Sequence, residues 1–477
     1  MQFNIFSYAF IVIILCIFIK DFNKPLETIF KHVLIFGLIL SFNTNLGNFV
    51  ELGTSSVGYM FIINLILLAI GFVLIFSKKN YNFKIIKIGT IAVISVTLGI
   101  LFAIIMPYSG GIIIDYDAYV GGDLTRVYDL TVSRSSFQFL INMVCFFIIA
   151  STIYNTYTKK NLIKTLSFIL NTSVVIFASV FILELFGNYF LRISMSEHIF
   201  IPIFGYSHPT SINIDRFHGL FKETSHYALA LFFLSLLCIV DVNLKKQSKN
   251  VKGIQSGIIR FLLFVILLAA STSFIGIFYL IVSLLLYIVF NAKLKIKKLS
   301  CVLVGLFALI FLCAIGTGHG EIIPKYERFE KLFNSFVRLI NGEQAVFSSE
   351  GARLTSMYEM LILVAARPFF GIGAALVDAH STILSMLGTI GIVGTGLWIL
   401  AMIKIGRIKK QHWIFVLSVI VALTFSGGNG GLLELRFLYL FTVIGCVSSK
   451  VNISQQAAKL IYDKSKNAAV ITKGRAT

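Results

Sequence analysis

The chain is a succession of long apolar runs closed by short polar segments. Inside runs such as Phe61 to Phe76 and Phe261 to Ala270 there is no strand-like alternation. About 20 helical residues cross a hydrocarbon core of roughly 30 Å. A β-barrel would instead show short alternating segments. The pattern predicts an all-α polytopic membrane protein forming one multi-pass domain over 1–477, with about thirteen spans. They fall at roughly 4–20, 28–42, 56–77, 86–106, 136–154, 165–187, 225–242, 258–271, 274–290, 299–317, 382–403, 412–426 and 432–449. The break at Ser271-Thr272-Ser273 matters most, because one unbroken helix there would invert everything downstream.

Composition strengthens this reading. Hydrophobic residues make up 57% of the chain, charged residues 13%, and the mean hydropathy is +0.90. A soluble chain carries roughly 25% charged residues, so this one cannot cover its apolar mass and a water-soluble protein is excluded. Lys and Arg number 41 against 21 Asp and Glu, a formal net charge of +20. In a soluble protein that excess would point to nucleic acid. Here the clusters Lys20/Lys24/Lys31, Lys78/Lys79/Lys84/Lys87, Lys159/Lys160/Lys164, Lys245/Lys246/Lys249/Lys252, Lys293/Lys295/Lys297/Lys298 and Lys404/Arg407/Lys409/Lys410 occupy every second loop. The positive-inside rule then puts the N-terminus outside and the lysine-bearing C-terminal tail inside, and no nucleic-acid partner is expected.

The six cysteines lie in or at the ends of apolar runs without CxxC spacing, and read as small apolar residues. Met1 to Lys20 lacks a basic n-region and reads as the first span. No HExxH spacing, no phosphate-binding G-x-x-x-x-G-K-[ST] loop and no internal repeat occur, so neither metal nor cofactor is expected.

Chemistry is expected in the loops of the other phase. Residues 107–135 carry Asp115, Asp117, Asp123 and Asp129. Residues 188–224 hold Arg192, His198, His208, Arg216, His218 and Glu223, and residues 318–381 hold Lys325, Arg328, Arg338, Arg353, Arg367 and His380. Loops this long are often functional, and these two are expected to form an extracytoplasmic functional face. Thr224 or Ser225 can cap the following helix, whose free amides attract an anion. Arg216 nearby adds a fork that matches phosphate, unless it and Lys222 merely snorkel to the interface. Glu434 and Arg436, one turn into the last span, are costly unless they pair or face a cavity.

Arg216, Gly219, Phe221 and Glu223 resemble the R-x-x-G-x-F-x-E-P signature of the bacterial O-antigen polymerase and O-antigen ligase superfamily, with Thr224 in place of proline. Arg353, followed by Arg367-Pro368-Phe369-Phe370-Gly371-Ile372-Gly373, looks like that family's arginine and P-x-x-G-x-G turn. His380-Ser381 with Gly391 and Gly394 is similar to the ligase element H-[NSQ]-x9-G-x-x-[GTY]. Ser271-Thr272-Ser273 stands where many members carry Ser-Arg. The likeness covers about 215–400.

What the resemblance implies is a fold similar to the lipid-donor glycosyltransferase C class, in a bacterial inner membrane. The implied reaction is metal-independent transfer of glycan from undecaprenyl diphosphate at the outer face. An acceptor hydroxyl attacks the anomeric carbon and the diphosphate leaves, so cations and a base are needed. Arg216 and Arg353 would clamp the diphosphate, with Arg367 a third cation. His380 would serve as base or orient the acceptor, its ring kept neutral by the helix start. Glu223 is the other base or orients Arg216, and Gly219, Ser225 and Ser381 would line the substrate. The expected partners are an undecaprenyl-diphosphate-linked oligosaccharide, the bilayer and a chain-length regulator. A polymerase is preferred, with a ligase as the alternative. A flippase or transporter would place ionisable groups at mid-membrane depth, whereas the deepest charge here, Glu184, lies near a span end.

Overall fold

The computed structural model describes residues 2–43, 48–52, 55–105, 112–115, 125–128, 134–193, 217–221, 224–247, 250–271, 274–291, 360–371, 381–405 and 435–444 (bar 4, 79, 218 and 366), with a few isolated residues. Its helices are α1 (Ile5–Asp21), α2 (Leu26–Asn43), α3 (Tyr59–Ser77), α4 (Lys84–Ile105), α5 (Arg134–Thr156), α6 (Lys159–Leu185), α7 (Thr224–Gln247), α8 (Val251–Ala270), α9 (Phe274–Asn291), α10 (Thr382–Ile405) and α11 (Leu435–Ile444). Among the described residues, eight helices are long and apolar enough to cross a membrane. The protein is therefore a helical polytopic membrane protein, as its pattern predicts. Helices α1 to α10 begin and end within several residues of ten expected spans, and α11 lies inside an eleventh. The expected spans at 299–317 and 412–426 lie outside the described residues, apart from isolated positions.

Local chemistry explains several boundaries. Thr158 and Asn250 cap α6 and α8, their side-chain oxygens accepting from the amides of Asn161 and Gly253. An oxygen there satisfies one of the amides a helix start leaves without a partner. Helix α8 stops at Ala270, and the Ser271 hydroxyl donates to the Leu268 carbonyl at 2.7 Å. A separate helix, α9, starts at Phe274, so the break expected from Ser271-Thr272-Ser273 is present.

The helical class has small additions that the sequence reading did not foresee. Strands Gln2–Phe3, Asn48–Leu52 and Ser55–Gly58 (β1 to β3) form an antiparallel sheet, with Gln2 opposite Glu51. Strands Ile112–Asp115 and Thr125–Tyr128 (β4 and β5) form a hairpin in the connection from α4 to α5. A π-helical segment, Phe186–Leu191, extends α6.

Helix α7 is the central post. It packs against α2, α6, α8 and α9, and 94% of its apolar stretch is buried. Ser235 on α7 and Ser283 on α9 share a buried hydrogen bond of 2.7 Å. Tyr439 of α11 donates to the Leu162 carbonyl, and Phe437 meets Phe233 edge-on at 4.6 Å. The outer helices instead expose apolar rows, including Phe72, Val73 and Phe76 on α3, Ile91 and Ile94 on α4, and Ile259 and Ile266 on α8. Rows of that kind fit a lipid environment and would be a liability in water.

Helix directions sort the two ends of the bundle. Lys78, after α3, donates to Glu27 at the start of α2 and to the Asn155 carbonyl at the end of α5. Lys31 lies 5.8 Å from the ring centre of Tyr157. Lys84, Lys87 and Lys404 line one cleft with Tyr154. Lysines from clusters far apart in sequence thus share one end, as the alternation of charged loops requires.

Candidate functional site

At the other end, residues 217–221 lead into α7. Phe217 packs on Phe181 with ring centres 4.8 Å apart. Phe221 stacks on Phe177 at 6.3 Å and meets Tyr227 edge-on at 5.9 Å. Between them the chain turns through Gly219, whose φ is +58°, in the left-handed region that favours glycine. A Cβ there would lie 2.9 Å from the buried Tyr227 ring. The Gly219 amide donates to Glu184 Oε1 at 3.0 Å, and Glu184 is 3% exposed. The signature therefore has an inner lining of Phe217, Gly219 and Phe221, seated on α6 and α7.

The downstream segment is built around a broken helix. Helix α10 leaves helical geometry at Gly391, where φ is 69° and ψ is −177°. The turn 367–371 fits against this break. Ile392 N–H donates to the Pro368 carbonyl at 2.8 Å, and Val393 N–H to the Phe369 carbonyl at 3.2 Å. Gly371 N–H donates back to the Arg367 carbonyl at 3.1 Å, closing the turn. A Cβ on Gly371 would lie 2.6 Å from both the Gly388 carbonyl oxygen and the Gly391 nitrogen. A Cβ on Gly391 would overlap the Phe369 carbonyl. The turn also reaches α4, where a Cβ on Gly99 would stand 2.7 Å from the Phe370 carbonyl oxygen. Two elements read separately in sequence, the P-x-x-G turn and the glycine ten residues after Ser381, are one backbone-to-backbone junction.

Of the sequence-predicted residues, Gly219, Arg367 and Ser381 are placed in full. Arg367 is partly buried at the head of the turn. Ser381 is fully buried, and its hydroxyl accepts from the Leu384 amide at 3.4 Å, the geometry of a cap at the start of α10. Thr224 and Ser225 fall in the first turn of α7. Arg216, Glu223, Arg353 and His380 lie outside the described residues, as does Glu434. Arg436 is buried, its guanidinium carbon 5.9 Å from the Phe233 ring centre. Among the described residues no three His, Cys, Asp or Glu side chains converge to hold a metal ion.

The residue that sequence reasoning undervalued is Glu184. Its signal was present, a carboxylate one turn from the end of an apolar run. Its partner, however, is a backbone amide 35 residues away. No protein-family model matches this chain, and no curated protein matches it. The class defined by the fold is that of a helical multi-pass membrane protein.

Proposed function

We propose that the chain is a polysaccharide polymerase, an O-antigen or capsular glycosyltransferase. It moves the growing glycan from undecaprenyl diphosphate to a lipid-linked repeat unit at the outer face of the bacterial inner membrane. The observation that carries this reading is the junction at Gly391. Gly371 and Gly391, where the sequence resembles two elements of the polymerase and ligase superfamily, are also positions where a Cβ would strike backbone. Gly219, in a third element, is likewise demanded by its conformation. Gly219 precedes the start of α7, opposite the end that carries Lys245 and Lys246, and Gly391 lies in the half of α10 away from Lys404. Under the positive-inside rule that would be the extracytoplasmic half.

In this reading the acceptor hydroxyl attacks the anomeric carbon and the bond to the diphosphate breaks. The hydroxyl proton passes to His380 or Glu223. Arg216 and Arg353 grip the departing phosphates, and Arg367 serves as a third cation. Charge grows on those oxygens as the bond breaks, so the cations act most strongly in the transition state.

Arg216→Lys tests this. Lysine keeps the charge but loses the two-pronged grip on phosphate. Polymer formation from purified lipid-linked repeat units is expected to fall by roughly 10² to 10³, with membrane insertion intact. Activity within about threefold of the parent, where a lost donor should cost 10² or more, would remove the clamp role.

The second reading, a ligase that transfers glycan to lipid A core, is favoured by the spacing of Ser381, Gly391 and Gly394. A deletion strain separates the two. Loss of a polymerase leaves core carrying one repeat unit, whereas loss of a ligase leaves bare core and glycan stranded on its lipid carrier.

A further inference from the structure

At the lysine-bearing end, helices α4, α5 and α10 enclose a cleft of about 620 Å³. Its lining is Lys84, Lys87 and Lys404, with Ile85, Ile88, Ile403 and Tyr154. The volume lies within the range of small-molecule sites, roughly 300–1,000 Å³. The topology rule needs cations in this loop phase, but it does not need cations from positions 320 residues apart in sequence to converge on one cavity. Other lysines here are neutralised by carboxylates: Lys24 by Asp21 at 2.6 Å, Lys78 by Glu27 at 3.1 Å and Lys245 by Asp241 at 2.6 Å. Among the described residues no carboxylate pairs with Lys84, Lys87 or Lys404, and none lines the cleft.

We propose that this cleft binds a phosphate-bearing anion. The three ammonium groups hold the phosphate oxygens, while the isoleucines and the Tyr154 ring take up adjoining apolar surface. A cationic rim over an apolar floor matches a phosphate attached to a hydrocarbon body. Basic pockets between membrane helices on the cytoplasmic side are a physically favoured place for anionic headgroups. The same cations would hold inorganic phosphate or diphosphate, so the chemistry has two sources. The proposal is independent of the activity assigned to the opposite end.

The test uses the full chain, purified and placed in nanodiscs of phosphatidylcholine, with or without phosphatidylglycerol at one lipid in five. Retained lipid is counted by native mass spectrometry after release from the disc. Binding of inorganic phosphate and of pyrophosphate is measured by calorimetry in the phosphatidylcholine discs. The cleft variant is Lys84→Gln/Lys87→Gln/Lys404→Gln. Its control is Lys20→Gln/Lys164→Gln/Lys252→Gln, which removes the same charge from exposed positions outside the cleft. Both must elute as single species before comparison.

Each cation near a membrane surface strengthens anion binding about five-fold, so the cleft variant should weaken it on the order of 10². The control should stay within about threefold. Cleft-dependent retention of phosphatidylglycerol alone identifies a lipid headgroup. Cleft-dependent binding of phosphate or pyrophosphate in neutral discs identifies a soluble ligand. Equal loss in both variants would reduce the effect to general surface charge, and no loss in either would leave the cleft without a ligand. Either of those two results overturns the proposal.

Discussion

Replacing Gly391 with alanine probes the junction most directly. Its φ of 69° with ψ of −177° belongs to a region essentially reserved for glycine, and another residue held there costs about 1–3 kcal/mol. Relaxing the strain by moving α10 would not be free. The Ile392 and Val393 amides would lose the Pro368 and Phe369 carbonyls, and a buried donor left unpaired costs about 1–3 kcal/mol. Because the Cβ overlaps the Phe369 carbonyl the helix must move, and the two unpaired amides together cost about 2–6 kcal/mol. Gly396→Ala, on the same helix, is the control, because a Cβ there meets nothing within 4 Å. Alanine in a helix interior is favoured over glycine by up to about 1 kcal/mol.

Both variants would be purified in detergent and heated while intrinsic fluorescence is followed. The Gly391 variant should unfold about 5–10 °C below the parent, and the Gly396 variant within about 2 °C of it or above. Polymer formation at a temperature where both are folded should fall for Gly391→Ala only. If the two alanine variants behave alike, the close crossing of the turn and α10 is wrong, and the observation supporting the functional reading goes with it.

Other perturbations test the remaining supports. Glu184→Ala removes the acceptor of the Gly219 amide and should cost about 1–3 kcal/mol in denaturation assays, together with most polymer formation. Glu184→Gln keeps a carbonyl oxygen in place and should retain more of both; equal losses would mean that the hydrogen bond does not hold the segment. For topology, single cysteines at Ser348 and Thr382 in a cysteine-free background should react with a membrane-impermeant maleimide in whole cells. One at Asn80, exposed in the lysine-rich connection from α3 to α4, should react only after permeabilisation, and the reverse pattern would invert the bundle.

Sequence and structure agree where information is local. Helices α3 and α9 are long apolar runs without a charged residue, so each can be recognised without knowing its neighbours. The stop after Ala270 is equally local, since three consecutive hydroxyl residues interrupt the run. Pairings over long separations are a different matter. β1 contributes only two residues and pairs with Val50 and Glu51 across two helices, too short a pattern to register. The run from Thr382 to Ile405 reads as one helix, because the cause of its break is a turn some twenty residues earlier. The glycines of the candidate site were recognised as a pattern, but the reason for them, backbone crossing backbone, exists only in three dimensions.

The burial of α7 bears on how the protein is made. A newly synthesised chain ending at Gln247 already sets Lys245 against Asp241 at 2.6 Å, but Ser235 would face lipid before Ser283 exists, and Arg260 reaches Asp241 only with the next helix. An isolated carboxylate at membrane depth is costly. Asp241 and Arg260 lie 19 positions apart across one short turn, so a second cation joins Lys245 at this carboxylate once α8 follows α7 as a hairpin. The polar contacts of α7 are thus completed stepwise along the chain, by Lys245 within the helix, by Arg260 on α8 and by Ser283 on α9.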